Sequence, residues 1–380
     1  MPRIAHHIDA VPASGIRRVF EIALQLDDVA MLAVGEPDQP VAQHILDAGA
    51  AAWLADDTSY GPNGGLPALR DAFVEQQRRE QRVELDRERV WVTVGGTQAI
   101  HLAMTLVLQP DDEVLVPDPG YTTFSMAPAM LSAHAVPYAL QSPAFLPDVD
   151  AIRALVTDRT RAIVLNTPSN PLGVVLPRET IQAILDLARE HDLWVVSDEV
   201  YEHLVWAGEH VSPQALDVDG RVLGVHSVSK SYAMTGARVG FLTVPSGLAE
   251  RMRTLQEAII SCVASPDQRA ALAALTGPQD AVAVAREHYR ANLELAASIL
   301  AEAGIPHLVP AGAMYLWIDV SHASGGDVAA WAERLLLQDR VAVAPGSAFG
   351  RSGEGWVRVC LAARPETLER GLRALPPARS

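Results

Sequence analysis

Short runs of β-branched and other apolar residues alternate with longer stretches of helical periodicity between residues 90 and 260. Continuous apolar runs are typical of strands buried on both faces, whereas apolar residues three or four positions apart are typical of helices that pack on a sheet. The predicted strands are Val90–Val94, Glu113–Val116, Ala162–Leu165, Leu193–Ser197, Val222–His226 and Val239–Val244, and the predicted helices are Thr97–Leu108, Arg178–Glu190 and Leu248–Ile260. This alternation predicts an α/β fold with a doubly wound, mostly parallel sheet.

The pattern changes after about residue 280. A long amphipathic helix near Asp280–Ala303 is followed by predicted strands at Met314–Val320, Val341–Ala344 and Trp356–Leu361 and by a last helix at Glu366–Ala374. We therefore predict a large domain over residues 35–280 and a smaller α+β domain built from residues 1–34 and 281–380. Since no Gly/Ser linker separates them, the two domains are expected to pack around a shared cleft.

The composition is that of an ordinary globular protein, with 49% hydrophobic and 20% charged residues in a chain of 380. No stretch approaches the roughly 20 apolar residues of a membrane helix, and the opening residues lack the apolar core of a secretory signal. Two cysteines, Cys262 and Cys360, are too few for a disulfide framework or a structural zinc site. The formal charge of −16 disfavours nucleic acid, because phosphates would be repelled. We expect a cytoplasmic enzyme acting on small molecules, with no metal and no membrane partner.

Lys230 is the only lysine among the 30 basic residues, and all the others are arginines. A lysine amine can lose its proton and attack a carbonyl, whereas the guanidinium of arginine stays protonated. A genome biased against lysine codons would explain why lysine is scarce, and Lys230 could then have been retained by chance. That bias would not explain where Lys230 lies in the sequence, so Lys230 is a candidate nucleophile.

The residues around Lys230 suit a phosphate. Val222–His226 is a predicted strand, so Lys230 lies at or just beyond the carboxyl end of a strand, where open α/β sheets bind ligands. Ser227 and Ser229 precede the lysine and Arg238 follows it, and hydroxyls with an arginine suit a phosphate group. A lysine beside a phosphate site suggests pyridoxal 5′-phosphate held as a Schiff base.

Three further segments could belong to the same site, although each has a simpler explanation. Asp198 ends an apolar run and could pair with a pyridinium nitrogen, with Tyr201 nearby if a helix follows, but it could equally be a helix N-cap. The pair Gly95-Gly96 leads into a helix and could approach an anion, although many turns look similar. Asn170 lies in a proline-fixed loop, Asn166–Gly173, which by composition alone is a plain turn.

Short motifs in a fixed order cover essentially the whole chain: Gly35-Glu36-Pro37-Asp38, Tyr60-Gly61-Pro62, Gly95-Gly96-Thr97, Tyr121, Asn170-Pro171, Asp198–Tyr201, Ser227–Lys230, Arg238 and Arg358. This set resembles the class I/II aminotransferases, fold type I enzymes of amino-acid metabolism that depend on pyridoxal phosphate. The opening residues 14–20 also resemble the aspartate/aromatic aminotransferase branch. The resemblance implies that an α-amino acid gives its amino group to the cofactor and that a 2-oxo acid then takes the group away.

The resemblance also implies individual roles for residues that match the motifs. Lys230 would form the Schiff base and move the proton, Asp198 would pair with the pyridine nitrogen, and Tyr121 would stack on the ring. Tyr201 and Asn170 would hydrogen-bond the ring oxygen. The phosphate would be held by Gly95, Gly96, Thr97, Ser227, Ser229 and Arg238. Tyr60 would reach the phosphate of a neighbouring subunit, which implies a homodimer. Arg358 would bind the substrate carboxylate, with Gly35 and Asn170 beside it.

Two departures from the family pattern border the expected substrate entrance. Leu172 replaces the usual threonine of the Asn-Pro-Thr-Gly motif, and Gln39 stands where an aromatic residue is common. The sequence leaves open a β-lyase or cyclising enzyme of the same fold, because the same lysine and aspartate serve those reactions. It argues against the sensor half of a transcription regulator, since no basic DNA-binding region is present. His203 and His226 lack metal-ligand spacing, and Tyr315 and Trp317 are interpreted as packing residues.

Overall fold

A computed structural model describes residues 4–378. Residues 1–3 and 379–380, which the sequence assigns to the small domain, lie outside the described residues. The helices are α1 Gly15–Ala23, α2 Gln43–Leu54, α3 Pro67–Gln76, α4 Gly95–Val107, α5 Thr123–Met130, α6 Val149–Arg153, α7 Arg178–Glu190, α8 Val228–Ser231, α9 Ala249–Ile259, α10 Ser265–Thr276, α11 Asp280–Glu302, α12 Ser321–Ser324, α13 Val328–Asp339 and α14 Pro365–Arg373.

The strands are β1 Ala30–Met31, β2 Val90–Val94, β3 Glu113–Asp118, β4 His134–Ala139, β5 Thr160–Asn166, β6 Trp194–Asp198, β7 Val222–Ser227, β8 Val239–Thr243, β9 His307–Leu308, β10 Tyr315–Asp319, β11 Val341–Ala342, β12 Ala344–Pro345 and β13 Trp356–Cys360. Among the described residues, no helix is both long and apolar enough to pass through a bilayer.

The large sheet has seven strands in the order β2-β8-β7-β6-β5-β3-β4. Strands β4, β3, β5, β6 and β7 pair in parallel, and β8 runs antiparallel to both of its neighbours. The mostly parallel sheet predicted from the sequence is thus confirmed. The carboxyl ends of β5, β6 and β7 consequently meet at one edge, as the crossover connections of such a sheet require.

Two smaller sheets join the C-terminal part of the chain to its N-terminal segment. Strands β12, β13, β10 and β9 form an antiparallel sheet, and β1 pairs in parallel with β11, with Ala30 opposite Val341. The prediction of one strand over Val341–Ala344 is wrong. The chain changes partner at Val343, because β11 pairs with β1 whereas β12 pairs with β13.

The sequence patterns missed several elements at the surface of the large sheet. Strand β4 lies at the sheet edge, is mostly solvent-accessible and contains Pro137, so it lacks a continuous apolar run. Helix α5 contains Pro128, which weakens the helical signal. Both elements are fixed by packing against β3 and α4 rather than by local propensity.

The hydrophobic cores of the two sheet systems share members. Tyr201 and Leu204, which follow β6, belong to the core formed with α11, β10 and β13. Trp317 of β10 belongs instead to the core that covers one face of the large sheet, together with Leu165 and Val195. The cleft edge of the large sheet is therefore held against the small antiparallel sheet.

Candidate active site

A cavity of about 450 Å³ lies where the carboxyl ends of β6 and β7 face the small antiparallel sheet. Most of the residues that the sequence assigns to a cofactor or substrate line it: Gly35, Gly96, Thr97, Tyr121, Asn170, Asp198, Tyr201, Ser227, Ser229, Lys230, Arg238 and Arg358. Gly95 lies directly behind this lining at the start of α4. Tyr60 lies outside the cavity and is 93% exposed.

Lys230 lies in α8, the single turn of helix that follows β7. Its Nζ donates a hydrogen bond of 2.6 Å to the carbonyl oxygen of Gly35. Burial lowers the pKa of Lys230 to about 8, and the positive charges of Arg358 and Arg238 act in the same direction. Roughly a tenth of the amine is therefore neutral at pH 7 and able to attack a carbonyl, far more than for a lysine of ordinary pKa.

The start of α4 and the residues around Lys230 form a cup for an anion. Gly95 has φ +71°, and a Cβ atom there would lie 2.4 Å from the Arg238 guanidinium. Glycine thus lets Arg238 approach the backbone N–H groups at the N-terminus of α4. Ser227 donates a hydrogen bond of 2.8 Å to the Ser229 hydroxyl, which keeps both hydroxyls at the cavity wall. Backbone donors, hydroxyls and a guanidinium together suit a phosphate.

Asp198 is the last residue of β6 and is only 3% exposed. Its Oδ1 accepts a hydrogen bond of 3.3 Å from the N–H of Val200, which makes a turn, so the alternative of a helix N-cap does not hold. Burial raises the pKa of Asp198 to about 7, which the Val200 N–H and the charge of His226 partly offset. No arginine or lysine forms a salt bridge with Asp198 among residues 4–378, although the charge of Lys230 also lowers its pKa.

Tyr201 lies in this turn, not in a helix, and still reaches the cavity. Its hydroxyl is 2.8 Å from the hydroxyl of Tyr315. Burial raises the pKa of Tyr201 well above its usual range and that of Tyr315 to about 12, so both phenols stay protonated. Interpreting Tyr315 as a packing residue is therefore incomplete, because it lines the cavity, whereas Trp317 is a packing residue stacked on Trp356.

Arg358 is held on β13 with its guanidinium almost fully buried. One Nη donates to Asn170 Oδ1 at 2.9 Å and the other donates to the carbonyl oxygen of Ala33. The guanidinium lies 4.2 Å from the ring centroid of Tyr315 and 4.8 Å from that of Phe349. Its Nε has no hydrogen-bond partner within residues 4–378. A fixed guanidinium with an unused donor is suited to bind a carboxylate.

Several cavity residues were given no role by the sequence patterns. Helix α1 contributes Ile16, Arg17 and Phe20, which belong to the segment 14–20 that resembles the aspartate/aromatic branch, and α4 and α5 contribute Ile100 and Met126, which belong to no motif. Apolar residues on a helix predict only that the helix packs, so nothing local distinguishes these side chains. The amphipathic character of α1 is a signal for burial but not for a ligand.

One group of buried residues has the composition of a metal site. Candidate ligand atoms of Glu199, Glu202 and His210 lie within 4.8 Å of one another. The oxygens of Glu199 already accept hydrogen bonds from Ser197 and Ser212 and contact His210 at 2.9 Å. We assign no metal to this group, because hydrogen bonds account for its carboxylates.

Comparison with known proteins gives a consistent result. Residues 27–375 match the family model for aminotransferase class I and II. The aspartate aminotransferase of Pyrococcus abyssi is 37% identical, covering 97% of this chain and 96% of that protein. An arginine–pyruvate transaminase of Pseudomonas aeruginosa is also 37% identical, covering 92% and 90%. The solved structure of a single mutant of the Thermus thermophilus aspartate aminotransferase superposes with TM-score 0.92 at 35% identity, covering 98% and 99%.

The geometry of Arg358 generates a prediction. Arg358→Lys should impair kcat/KM nearly as much as Arg358→Ala, because one ammonium cannot replace the several N–H donors that the guanidinium holds in one plane. We expect a loss of about 2–5 kcal/mol in transition-state stabilisation with little change in cofactor affinity. Steady-state kinetics and cofactor titration test this, and a lysine variant with normal kcat/KM would contradict the assignment.

Proposed function

This chain belongs to the class I and II aminotransferase family, and on that premise we propose how its own residues transfer an amino group. It is a pyridoxal 5′-phosphate-dependent transaminase with an amino acid and a 2-oxo acid as substrates. The named relatives are transaminases, so a β-lyase or cyclising activity is not favoured. The observation that carries the proposal is the single lysine, part-buried in the same cavity as Asp198 and Arg358.

The residues present fit pyridoxal 5′-phosphate. A Cβ atom at position 95 would clash with the Arg238 guanidinium, so glycine is what lets Arg238 lie against the start of α4. The guanidinium and the backbone N–H groups of α4 together form a site for an anion. Asp198 is a buried carboxylate without an arginine or lysine partner in the described chain, which suits a protonated ring nitrogen. We therefore propose that the phosphate is held by Gly95, Gly96, Thr97, Ser227, Ser229 and Arg238, and the ring by Asp198, Tyr121, Tyr201 and Asn170.

When bound, the cofactor supplies a carbonyl for the amino group and a ring that withdraws electrons from the substrate Cα. Lys230 Nζ is the chain's side-chain amine in the cavity, and we propose that it holds the cofactor and moves the proton at the substrate Cα. Its pKa of about 8 lets it accept and release a proton near neutral pH. Arg358 binds the α-carboxylate, beside Gly35 and Asn170, and so orients the Cα toward Lys230.

The lysine count makes this proposal testable by chemical labelling. Borohydride treatment of the protein with pyridoxal 5′-phosphate should fix one pyridoxyl group per chain, on the peptide between Arg221 and Arg238. Labelling should increase as the pH rises toward and past about 8, because the neutral amine is the reactive form. Peptide mapping by mass spectrometry measures the site and the stoichiometry.

Two variants serve as controls for the labelling. Lys230→Ala and Lys230→Arg should both lose the label and essentially all transamination, because a guanidinium stays protonated. Both should still bind the cofactor through its phosphate. A wild-type protein that takes up no label at Lys230 would refute the proposed function.

We also propose that the substrate side chain is apolar or aromatic. The cavity lining includes the apolar side chains of Ile16, Phe20, Ile100 and Met126. Besides Arg238 and Arg358, the lining contains Arg17, whose Nε donates to Glu21 Oε1 at 2.9 Å. Since Arg17 is already paired, we expect it to attract an acidic side chain only weakly.

Glu21→Gln should release Arg17 and raise kcat/KM for aspartate relative to phenylalanine. Both side chains are largely exposed, so we expect an effect of only about two- to fivefold. Glu333→Gln is a matched control, because Glu333 pairs with the neighbouring Arg18, which does not line the cavity. A screen of amino acids with 2-oxoglutarate or pyruvate as acceptor measures this, and a wild type that prefers aspartate would overturn the substrate class.

The remaining predictions concern assembly, domains and location. We propose a homodimer in which Tyr60 reaches the partner's phosphate site, because this exposed side chain lies outside the cavity of its own chain.

We keep the large domain at residues 35–280 and the small domain at residues 1–34 and 281–380, since the strands of the seven-stranded sheet fall between residues 90 and 243. A cytoplasmic location is supported by two unpaired cysteines, Cys262 and Cys360.

Tyr60→Phe tests the dimer contact because it removes a single hydroxyl from an exposed side chain. If that hydroxyl bonds the partner's bound phosphate, the cofactor Kd should rise about tenfold or more. Sedimentation of the variant should still report a dimer. An unchanged Kd, or an active monomer in the wild type, would contradict the assignment.

A further inference from the structure

A cluster of buried histidine and glutamate residues lies on the face of the large sheet opposite the cavity. Ser227 lines the cavity, so its neighbour His226 on β7 points to the other face. His226 is 1% exposed and packs edge-on against Phe73 of α3, with ring centroids 5.1 Å apart. None of the roles proposed above uses this histidine.

Glu202 is the hydrogen-bond partner of His226. His226 Nδ1 lies 3.0 Å from Glu202 Oε1, and Gln77 Nε2 donates to Glu202 Oε2 at 3.0 Å. His203 Nε2 lies 3.7 Å from the same Oε1, and no arginine or lysine pairs with Glu202 within residues 4–378. The charge of the buried Glu202 carboxylate is thus balanced by histidine alone.

This pairing determines the charge of His226. A buried carboxylate is costly unless a positive charge balances it. Burial alone would lower the pKa of His226, but its hydrogen bond to Glu202 and the negative charges of Glu202, Glu199 and Asp198 raise it above its usual value. Although burial opposes this, His226 and His203 lower the pKa of Glu202 to about 2. Both shifts favour an imidazolium paired with a carboxylate, and the Nδ1–Oε1 hydrogen bond joins the two groups, whereas His226 Nε2 has no hydrogen-bond partner within residues 4–378.

The strand register brings this pair close to Asp198. Asp198 on β6 is opposite Val225 on β7, so His226 is the next residue along the neighbouring strand. The adjacent Glu199 would raise the pKa of Asp198, but Glu199 is itself tied to His210. The positive charge of His226 lowers the pKa of Asp198 and so opposes the effect of burial, and Lys230 acts in the same direction from the cavity side.

We propose that His226 and Glu202 are positioning residues that favour the ionised form of the Asp198 carboxylate from the opposite face of the sheet. The inference rests on the proposed function, in which Asp198 pairs with the ring nitrogen of the cofactor. The ligand approaches Asp198 from the cavity, whereas the positive charge of His226 acts on Asp198 from the opposite face of the sheet. Glu202 acts one step further away by keeping the proton on His226.

The test replaces each member of the pair without removing its hydrogen bond. His226→Asn keeps an N–H that can donate to Glu202 but removes the charge, and Glu202→Gln removes the carboxylate that holds the proton on His226. The absorbance of the bound cofactor and kcat/KM are measured against pH. Each profile has a midpoint on its acid side, the pH at which half of the signal is lost as Asp198 takes up a proton. In both variants this midpoint should move to higher pH by about 1–2 units, because Asp198 then takes up a proton more readily.

Two further variants separate this charge effect from packing. Phe73→Leu disturbs the packing around His226 but leaves the charged pair in place, so it should lower Tm without moving the midpoint. In an Asp198→Asn background, His226→Asn should produce no further shift, because the carboxylate it acts on is absent. A midpoint that moves equally in Phe73→Leu and His226→Asn would overturn the proposal.

The remaining outcomes are also decisive. A folded, cofactor-bound His226→Asn protein with the wild-type midpoint would refute the inference while leaving the proposed function intact. If neither substitution folds, NMR of the wild-type imidazole decides, since a neutral His226 at pH 7 would overturn the proposal and a charged one supports it. Failure of the wild type to be labelled at Lys230 would instead remove the proposed function, and the inference with it.

Discussion

The carboxyl group of Asp198 is buried at the end of β6, and the arrangement of charges on both sides of the sheet depends on it. A carboxylate at 3% exposure is stable only if its charge is balanced, and among residues 4–378 one backbone N–H donates to it. On the cavity side, the partner that we propose for it is the protonated ring nitrogen of the cofactor. On the far side lies His226, which is hydrogen-bonded to Glu202. Cofactor binding and the stability of the fold therefore both depend on how the negative charge of Asp198 is balanced.

The small antiparallel sheet supplies the other half of the site. Arg358 on β13 is fixed by Asn170, which follows β5, and by the carbonyl oxygen of Ala33, which follows β1. A guanidinium held by two segments from outside its own sheet cannot turn away without breaking bonds to both. Its distance from Lys230 is consequently set by how the sheets pack, and the aromatic faces of Tyr315 and Phe349 complete its surroundings.

The central strands and the candidate nucleophile, Lys230, could be predicted from the sequence because their signals are local. Continuous apolar runs identified β5, β6 and β7 to within one or two residues, since strands buried on both faces admit little else. Strand β4 could not be identified in this way, because it lies at the sheet edge and is largely exposed. The division between β11 and β12 could not be predicted either, because it reflects two different pairing partners rather than any change in the sequence pattern.

The sequence alone determined which atoms are available for chemistry: one lysine amine, an aspartate at a strand end, a pair of glycines before a helix, and an arginine near the end of the chain. It also predicted that the lysine and the aspartate meet, because the carboxyl ends of neighbouring parallel strands share one edge. The glycines follow β2, which the antiparallel β8 separates from β7, and only the resemblance brought them to the same site. Only the tertiary structure decided that Tyr315 meets Tyr201, that α1 lines the cavity, and that His226 follows the residue opposite Asp198 on the neighbouring strand. These contacts join segments that are distant in sequence or lie on opposite faces of a sheet, so no local pattern encodes them, and they follow from how the sheets and helices pack.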